Sequence, residues 1–161
     1  MVVATDSGKL VITLANLDAT VRLAAALARL LRAGDVVALE GDLGAGKTAF
    51  ARALIRELTG GEEEVPSPTF TLLQTYEAPD FDIWHFDLYR LEKPEDAFEL
   101  GIEDAMAEGV TLIEWPDRLG RYLPRDRLIV RMDYANGESA RVATLSGDGG
   151  WRGRIAGLAH E

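Results

Sequence analysis

Residues 41–48 read Gly-Asp-Leu-Gly-Ala-Gly-Lys-Thr and fit the spacing G-x-x-x-x-G-K-[ST]. The chemistry that needs this order is anion binding. Glycines let the backbone take φ > 0 and approach an anion, successive N–H groups then point inward, and a following helix adds its partial positive charge. Asp42, Leu43, Gly44, Ala45, Gly46, Lys47 and Thr48 would line a nucleoside triphosphate. Lys47 would reach the β- and γ-phosphates, and the Thr48 hydroxyl would bind Mg²⁺. Lys47 is one of only three lysines in the chain, with Lys9 and Lys93, so it is not drawn from a lysine-rich background.

Two carboxylates are candidates to complete the site. Asp87 ends the run Phe81-Asp82-Ile83-Trp84-His85-Phe86, and Glu114 ends Val110-Thr111-Leu112-Ile113. A carboxylate at the end of an apolar strand suits a second metal contact or a water-positioning group, because such strand ends open beside the phosphate loop. Spacing alone does not choose between them. Ser67 and Thr69, in the proline-stiffened stretch Val65-Pro66-Ser67-Pro68-Thr69-Phe70, are candidate γ-phosphate sensors by hydrogen bonding. Thr20 is a further candidate contact from the unit that precedes the loop. His85 alternates with apolar residues and reads as a hydrogen-bonded structural histidine, and Trp115 stands out because it directly follows a candidate metal carboxylate.

The elements that must position these groups can be read from apolar periodicity. Residues 36–40 form a buried strand before the loop and residues 49–58 a helix after it. Leu10–Leu14 predicts a first strand, followed by a helix capped by Asn16 or Asp18 and ended by Gly34. Phe70–Glu77 and Phe81–Asp87 predict an antiparallel pair around Ala78-Pro79-Asp80. Pro94 is expected to start a helix closed by Gly101, with a short helical piece at 102–107 before the strand at 110–113. Arg127–Tyr134, the turn Asn136-Gly137 and Ser139–Leu145 predict a β-hairpin at the sheet's edge. The chain from about Gly147 reads as a loose or weakly helical tail, within one domain spanning 1–161.

Composition narrows the partners. The net charge of −10 argues against direct, tight binding of RNA or DNA, whose phosphates are met by Lys and Arg. An acidic surface suits a basic patch on a protein partner. The absence of cysteine removes disulfides, thiolate metal sites and cysteine nucleophiles. No apolar run approaches the length of a membrane span and no export signal opens the chain, so a cytoplasmic protein is expected.

Gly-Asp-Leu-Gly-Ala-Gly-Lys-Thr at 41–48, Ser-Pro-Thr-Phe-Thr-Leu at 67–72, His-Phe-Asp-Leu-Tyr-Arg at 85–90 and Ile-Glu-Trp-Pro at 113–116 together closely resemble the TsaE family, the ATPase of bacterial tRNA threonylcarbamoyladenosine synthesis. The motifs occur in the family's order over roughly residues 10–145. The resemblance implies an α/β, P-loop NTPase-like, three-layer fold whose central mixed sheet includes antiparallel strands and a C-terminal hairpin. It implies that Lys47 and its neighbours bind ATP, that Thr48 and Glu114 hold Mg²⁺, and that Asp87 is needed for hydrolysis. Ser67-Pro68-Thr69 would form a switch-like loop, and Trp115 would lie near the nucleotide. The implied partner is the threonylcarbamoyl transferase complex of TsaD with TsaB, which would hold the tRNA.

Two other functions share parts of this pattern. A compact small-molecule kinase would need a basic lid, for which Arg118, Arg121, Arg125 and Arg127 are the best cluster; with Pro116, Leu119, Leu123 and Pro124 among them, they read more readily as a structured connection. A nucleotide-gated binding module would regulate a partner without hydrolysis. Guanine is disfavoured as the base, since no Asn-Lys-x-Asp element occurs. Arg90 is the nearest candidate in cis for an arginine finger, and a partner could supply one in trans.

Overall fold

The computed structural model describes residues 2–5, 8–42, 44–61, 65–66, 72–137 and 139–160. Leu43, Ser67 and Thr69, and with them the expected switch-like loop, lie outside the described residues. The element order is β1 (Val2–Ala4), β2 (Leu10–Leu14), α1 (Leu17–Ala28), β3 (Val36–Glu40), α2 (Lys47–Thr59), β4 (Leu73–Glu77), β5 (Asp82–Asp87), α3 (Asp96–Glu99), α4 (Ile102–Glu108), β6 (Val110–Glu114), β7 (Leu128–Tyr134), β8 (Arg141–Gly147) and α5 (Trp151–Ala156). Short 3₁₀ segments at Pro116–Tyr122 and Gly157–His160 complete it.

All eight strands form one mixed sheet in the order β1-β2-β8-β7-β3-β6-β5-β4. The centre β7-β3-β6-β5 is parallel, and antiparallel pairs flank it on both sides. This agrees with the expected mixed sheet. β3 is buried at Val36, Val37, Ala38 and Leu39, as a parallel strand covered on both faces must be. Its side chains alternate between two cores. Val37 and Leu39 join Leu27, Phe50, Leu54, Leu112 and Val130 beneath α1, α2 and α5, while Val36 joins Phe86, Ala97, Ile102 and Ile113 beneath α3, α4 and the first 3₁₀ segment. Helices therefore lie on both faces, giving three layers.

The hairpin β7–β8 is a correction to the sequence reading. It lies inside the sheet, with β7 against β3 and β8 against β2, so the edges are β1 and β4. Met132, Val130, Ala143 and Leu145 are buried on one face, the pattern that drives this pairing. The tail is helical, one of the two forms expected of it, and is not loose. α5 buries Trp151 and Ile155, and Leu158 follows, all three in the main core. Arg154 fixes α5 to the entry of β3: Nη1 donates to Asp35 Oδ1 at 2.9 Å, Nη2 to Asp35 Oδ2 at 2.6 Å and to Leu30 O, and the guanidinium lies 3.8 Å over Trp151. Two boundaries also differ. Asn16 caps α1 by accepting from Ala19 N, but α1 ends at Ala28, before Gly34 is reached. Pro94 lies two residues before α3, whose cap is Glu95.

Candidate functional site

β3 ends at Glu40, and Gly41 then turns the chain out of the sheet at φ +135°. Only glycine fits there, because a Cβ would lie 2.3 Å from Met132 O on β7. The loop closes on Gly46, left-handed at φ +106°, which caps α2 without a side-chain hydrogen bond. Gly46 brings no capping side chain to the first N–H groups of this 13-residue helix, which suits an anion site at a helix N-terminus.

Lys47 is the first residue of α2 and is 4% exposed. Its Nζ donates to Gly41 O at 2.6 Å and lies 3.5 Å over the Trp115 ring. Burial holds its pKa below the ordinary 10.5, against the opposing pull of Glu114, Asp87, Asp42 and Asp117. Trp115 holds a left-handed backbone at φ +59°, uncommon for a bulky residue, directly after β6 ends. That turn carries its ring over Lys47 and 5.0 Å from the Tyr89 ring.

The acidic residues come together by strand register. Asp87 pairs with Glu114 across β5–β6, and Leu39 pairs with Glu114 across β3–β6. Both carboxylates are buried, at 5% and 2% exposure. Thr48 Oγ1 donates to Glu114 Oε1 at 3.0 Å, while His85 Nε2 lies 2.7 Å from Glu114 Oε2. Asp87 Oδ1 accepts from Tyr89 N at 3.1 Å. The result is a line, Thr48–Glu114–His85, running from the loop helix into the sheet, with Asp87 beside it.

A hydroxyl and a carboxylate oxygen, both hard donors, suit Mg²⁺, which keeps several waters and shares phosphate oxygens rather than needing an all-protein cage. Among the described residues, no group of three or more His, Asp or Glu forms such a cage. The Thr48 hydroxyl and the Glu114 carboxylate, 3.0 Å apart, are the oxygen donors that fit the ion.

Two cavities flank the loop. One, of about 440 Å³, is lined by Gly41, Asp42, Lys47, Trp115, Asp117 and Arg131 among others. The second, of about 220 Å³, is lined by Leu17, Thr20, Gly46, Ala49, Met132, Ser139 and Arg141. Thr20, buried on α1, thus reaches the loop's other shoulder.

The structure brings together Asp42, Gly44, Ala45, Gly46, Lys47, Thr48, Asp87, Glu114 and Trp115, with Thr20 at the side. His85 is buried and hydrogen-bonded, as read, and its partner is the candidate metal carboxylate; the signal for that partner was its position two residues before Asp87, on the same strand face. One contributor was missed. Arg141 donates from Nε to Ala45 O at 3.2 Å across 96 positions of sequence, which no local pattern reveals. Arg90 is exposed and lines neither cavity. The Arg118–Arg127 cluster is a structured connection as read: Arg121 donates to Tyr122 Oη, Arg127 to Pro124 O, and Arg118 lies 5.7 Å over the Tyr89 ring.

A strand, a glycine loop and a helix set on a three-layer mixed sheet, with a lysine and threonine facing strand-end carboxylates, define a protein of the P-loop fold. A solved structure, that of Bacillus subtilis YdiB, superimposes with a TM-score of 0.77 at 28% identity, covering 99% of this chain and 96% of that one. The model of the family "Threonylcarbamoyl adenosine biosynthesis protein TsaE" matches residues 14–143. The tRNA threonylcarbamoyladenosine biosynthesis protein TsaE of Rickettsia felis is 42% identical over 130 residues, 81% of this chain and 75% of its own. Its Bacillus subtilis namesake is 36% identical over 135 residues, 83% of each chain. The chain belongs to the TsaE family, whose members take part in tRNA threonylcarbamoyladenosine biosynthesis. No helix among the described residues is long and apolar enough to cross a membrane.

Proposed function

We propose that this chain binds ATP with Mg²⁺ at the Gly41–Thr48 loop, hydrolyses it slowly, and in doing so supports turnover of the threonylcarbamoyl transferase complex of TsaD with TsaB in the cytoplasm. The observation that carries this reading is the convergence of Lys47, Thr48, Asp87 and Glu114 at the mouth of the loop, with Glu114 hydrogen-bonded on both oxygens. Thr48 and Glu114 would hold the Mg²⁺, which supplies charge neutralisation to the β- and γ-phosphates. Lys47, now on Gly41 O, would exchange that carbonyl for phosphate oxygens. Asp87, buried and held by Tyr89 N, would orient the water for in-line attack. Trp115 would cover the nucleotide side of Lys47, and Thr20 the far shoulder of the loop. Leu43, Ser67 and Thr69 keep their proposed roles from the family resemblance. No side chain is modified; catalysis is positioning and charge stabilisation.

Phosphate release from Mg-ATP by the purified chain, alone and with TsaD, TsaB and tRNA, tests the proposal. Slow release alone, a changed rate with the complex, and repeated tRNA modification that depends on Lys47 and Asp87 are expected. Equal release in both mixtures, with modification unaffected by the chain, would refute the partner assignment.

A further inference from the structure

We infer that Arg141 is a positioning residue for the phosphate loop, holding the Ala45–Gly46 peptide in the orientation that an incoming phosphate needs. The inference rests on the proposed nucleotide site and adds to it a residue from the far end of the chain. Arg141 begins β8 and pairs directly with Tyr134, the last residue of β7. Its guanidinium lies 4.6 Å over the Tyr134 ring, and Nη1 donates to Ala140 O at 2.9 Å. The arginine is thus fixed by its own hairpin before it reaches the loop, so little side-chain entropy is lost in the contact it makes there.

That contact is Nε to Ala45 O at 3.2 Å. A peptide unit is planar and trans, so its C=O and N–H point in opposite directions. Anchoring the Ala45 carbonyl towards Arg141 therefore turns the Gly46 N–H away from the hairpin, towards the anion side of the loop. Gly46 itself, left-handed and free of a Cβ, would not hold that orientation on its own. Two neighbours brace the same shoulder. A Cβ on Gly44 would lie 2.8 Å from Tyr134 Oη, and one on Gly46 would lie 3.3 Å from Met132 Cε. The hairpin is therefore a template against which the loop is set, with Arg141 as its one charged hydrogen bond to the Ala45 carbonyl among the described residues.

Mg-ADP titrated calorimetrically into the full chain and into Arg141→Met and Arg141→Lys tests this. Methionine keeps the apolar stem over Tyr134 and removes the donors; lysine restores one donor. Arg141→Met should bind ADP about tenfold more weakly, the value of one Gly46 N–H no longer held towards the phosphate, with a Tm no more than about 6 °C below the parent. Arg141→Lys should recover part of the affinity, and the Gly46 amide should exchange with solvent faster in Arg141→Met than in the parent when ADP is bound. An affinity for Arg141→Met within twofold of the parent would overturn the inference, as would a Tm falling beyond that limit together with affinity in both variants, which marks a purely structural residue. Failure of the parent itself to bind ADP would instead refute the nucleotide site.

Discussion

Replacing His85 by Ala tests whether the buried imidazole serves the metal carboxylate or only fills the sheet. His85 is fully buried, and its Nε2 lies 2.7 Å from Glu114 Oε2, while Nδ1 has no hydrogen-bond partner among the described residues. With the ring proton on Nε2, the imidazole donates to Glu114 Oε2. A hydrogen bond to a charged group contributes about 1.5–3 kcal/mol, and its loss leaves Glu114 Oε2 buried without that donor. If all of that orients Glu114 towards the metal, Mg²⁺-dependent nucleotide affinity should fall by about 10- to 100-fold, the usual range for losing a partner of a metal ligand. Unfolding should also move down by several degrees, at about 2–4 °C per kcal/mol for a chain of this size. The discriminating readout is ADP affinity measured with Mg²⁺ and with EDTA. The gain that Mg²⁺ confers should shrink in His85→Ala and return in His85→Gln, whose amide N–H can donate in the same direction. An unchanged Mg²⁺ gain in a folded His85→Ala would refute the reasoning and return His85 to a packing role.

Gly41→Ala should destabilise the chain by at least about 2 kcal/mol, from its positive φ and a Cβ driven against Met132 O, seen as a lower urea midpoint at constant m. Trp151→Ala should cost about 3–5 kcal/mol, since Trp151 is buried in the main core; a loss below about 1 kcal/mol would mean the C-terminal helix is dispensable. Lys47 has a lowered pKa in the folded chain and an ordinary one, 10.5, when unfolded, so between the two the unfolded state binds more protons. Without nucleotide, Lys47's contribution to stability should therefore rise with pH through that alkaline window, and Lys47→Met should lack the rise in a pH series of denaturant midpoints.

The phosphate loop was legible because its chemistry is local: eight consecutive residues carry the glycines, the lysine and the hydroxyl. The candidate carboxylates were legible as strand ends, but nothing local said that Asp87 and Glu114 are register partners, because β5 and β6 are parallel neighbours separated by two helices. The hairpin was found as a hairpin and misplaced at the edge. A partly alternating β7 fits either position, and what puts it inside is the pairing of β8 with β2, more than a hundred residues earlier in the chain. The tail stood between loose and helical because a six-residue helix containing a glycine carries little periodicity; Trp151 and Ile155, four residues apart on one face, were its whole signal. Arg141 was invisible for the same reason as the register: its partner is the loop, 96 positions away.

Nucleotide binding at this loop turns on Lys47, whose Nζ lies 3.5 Å from the Trp115 ring centre. Calorimetric titration of Mg-ATP into the parent and into Lys47→Ala is the decisive measurement. A saturable single site in the parent, weakened about a hundredfold or more in Lys47→Ala, is expected from the loss of a buried, charge-assisted contact to phosphate. Affinities within threefold of each other, or no binding by the parent, would contradict the assignment of this loop as a nucleotide triphosphate site.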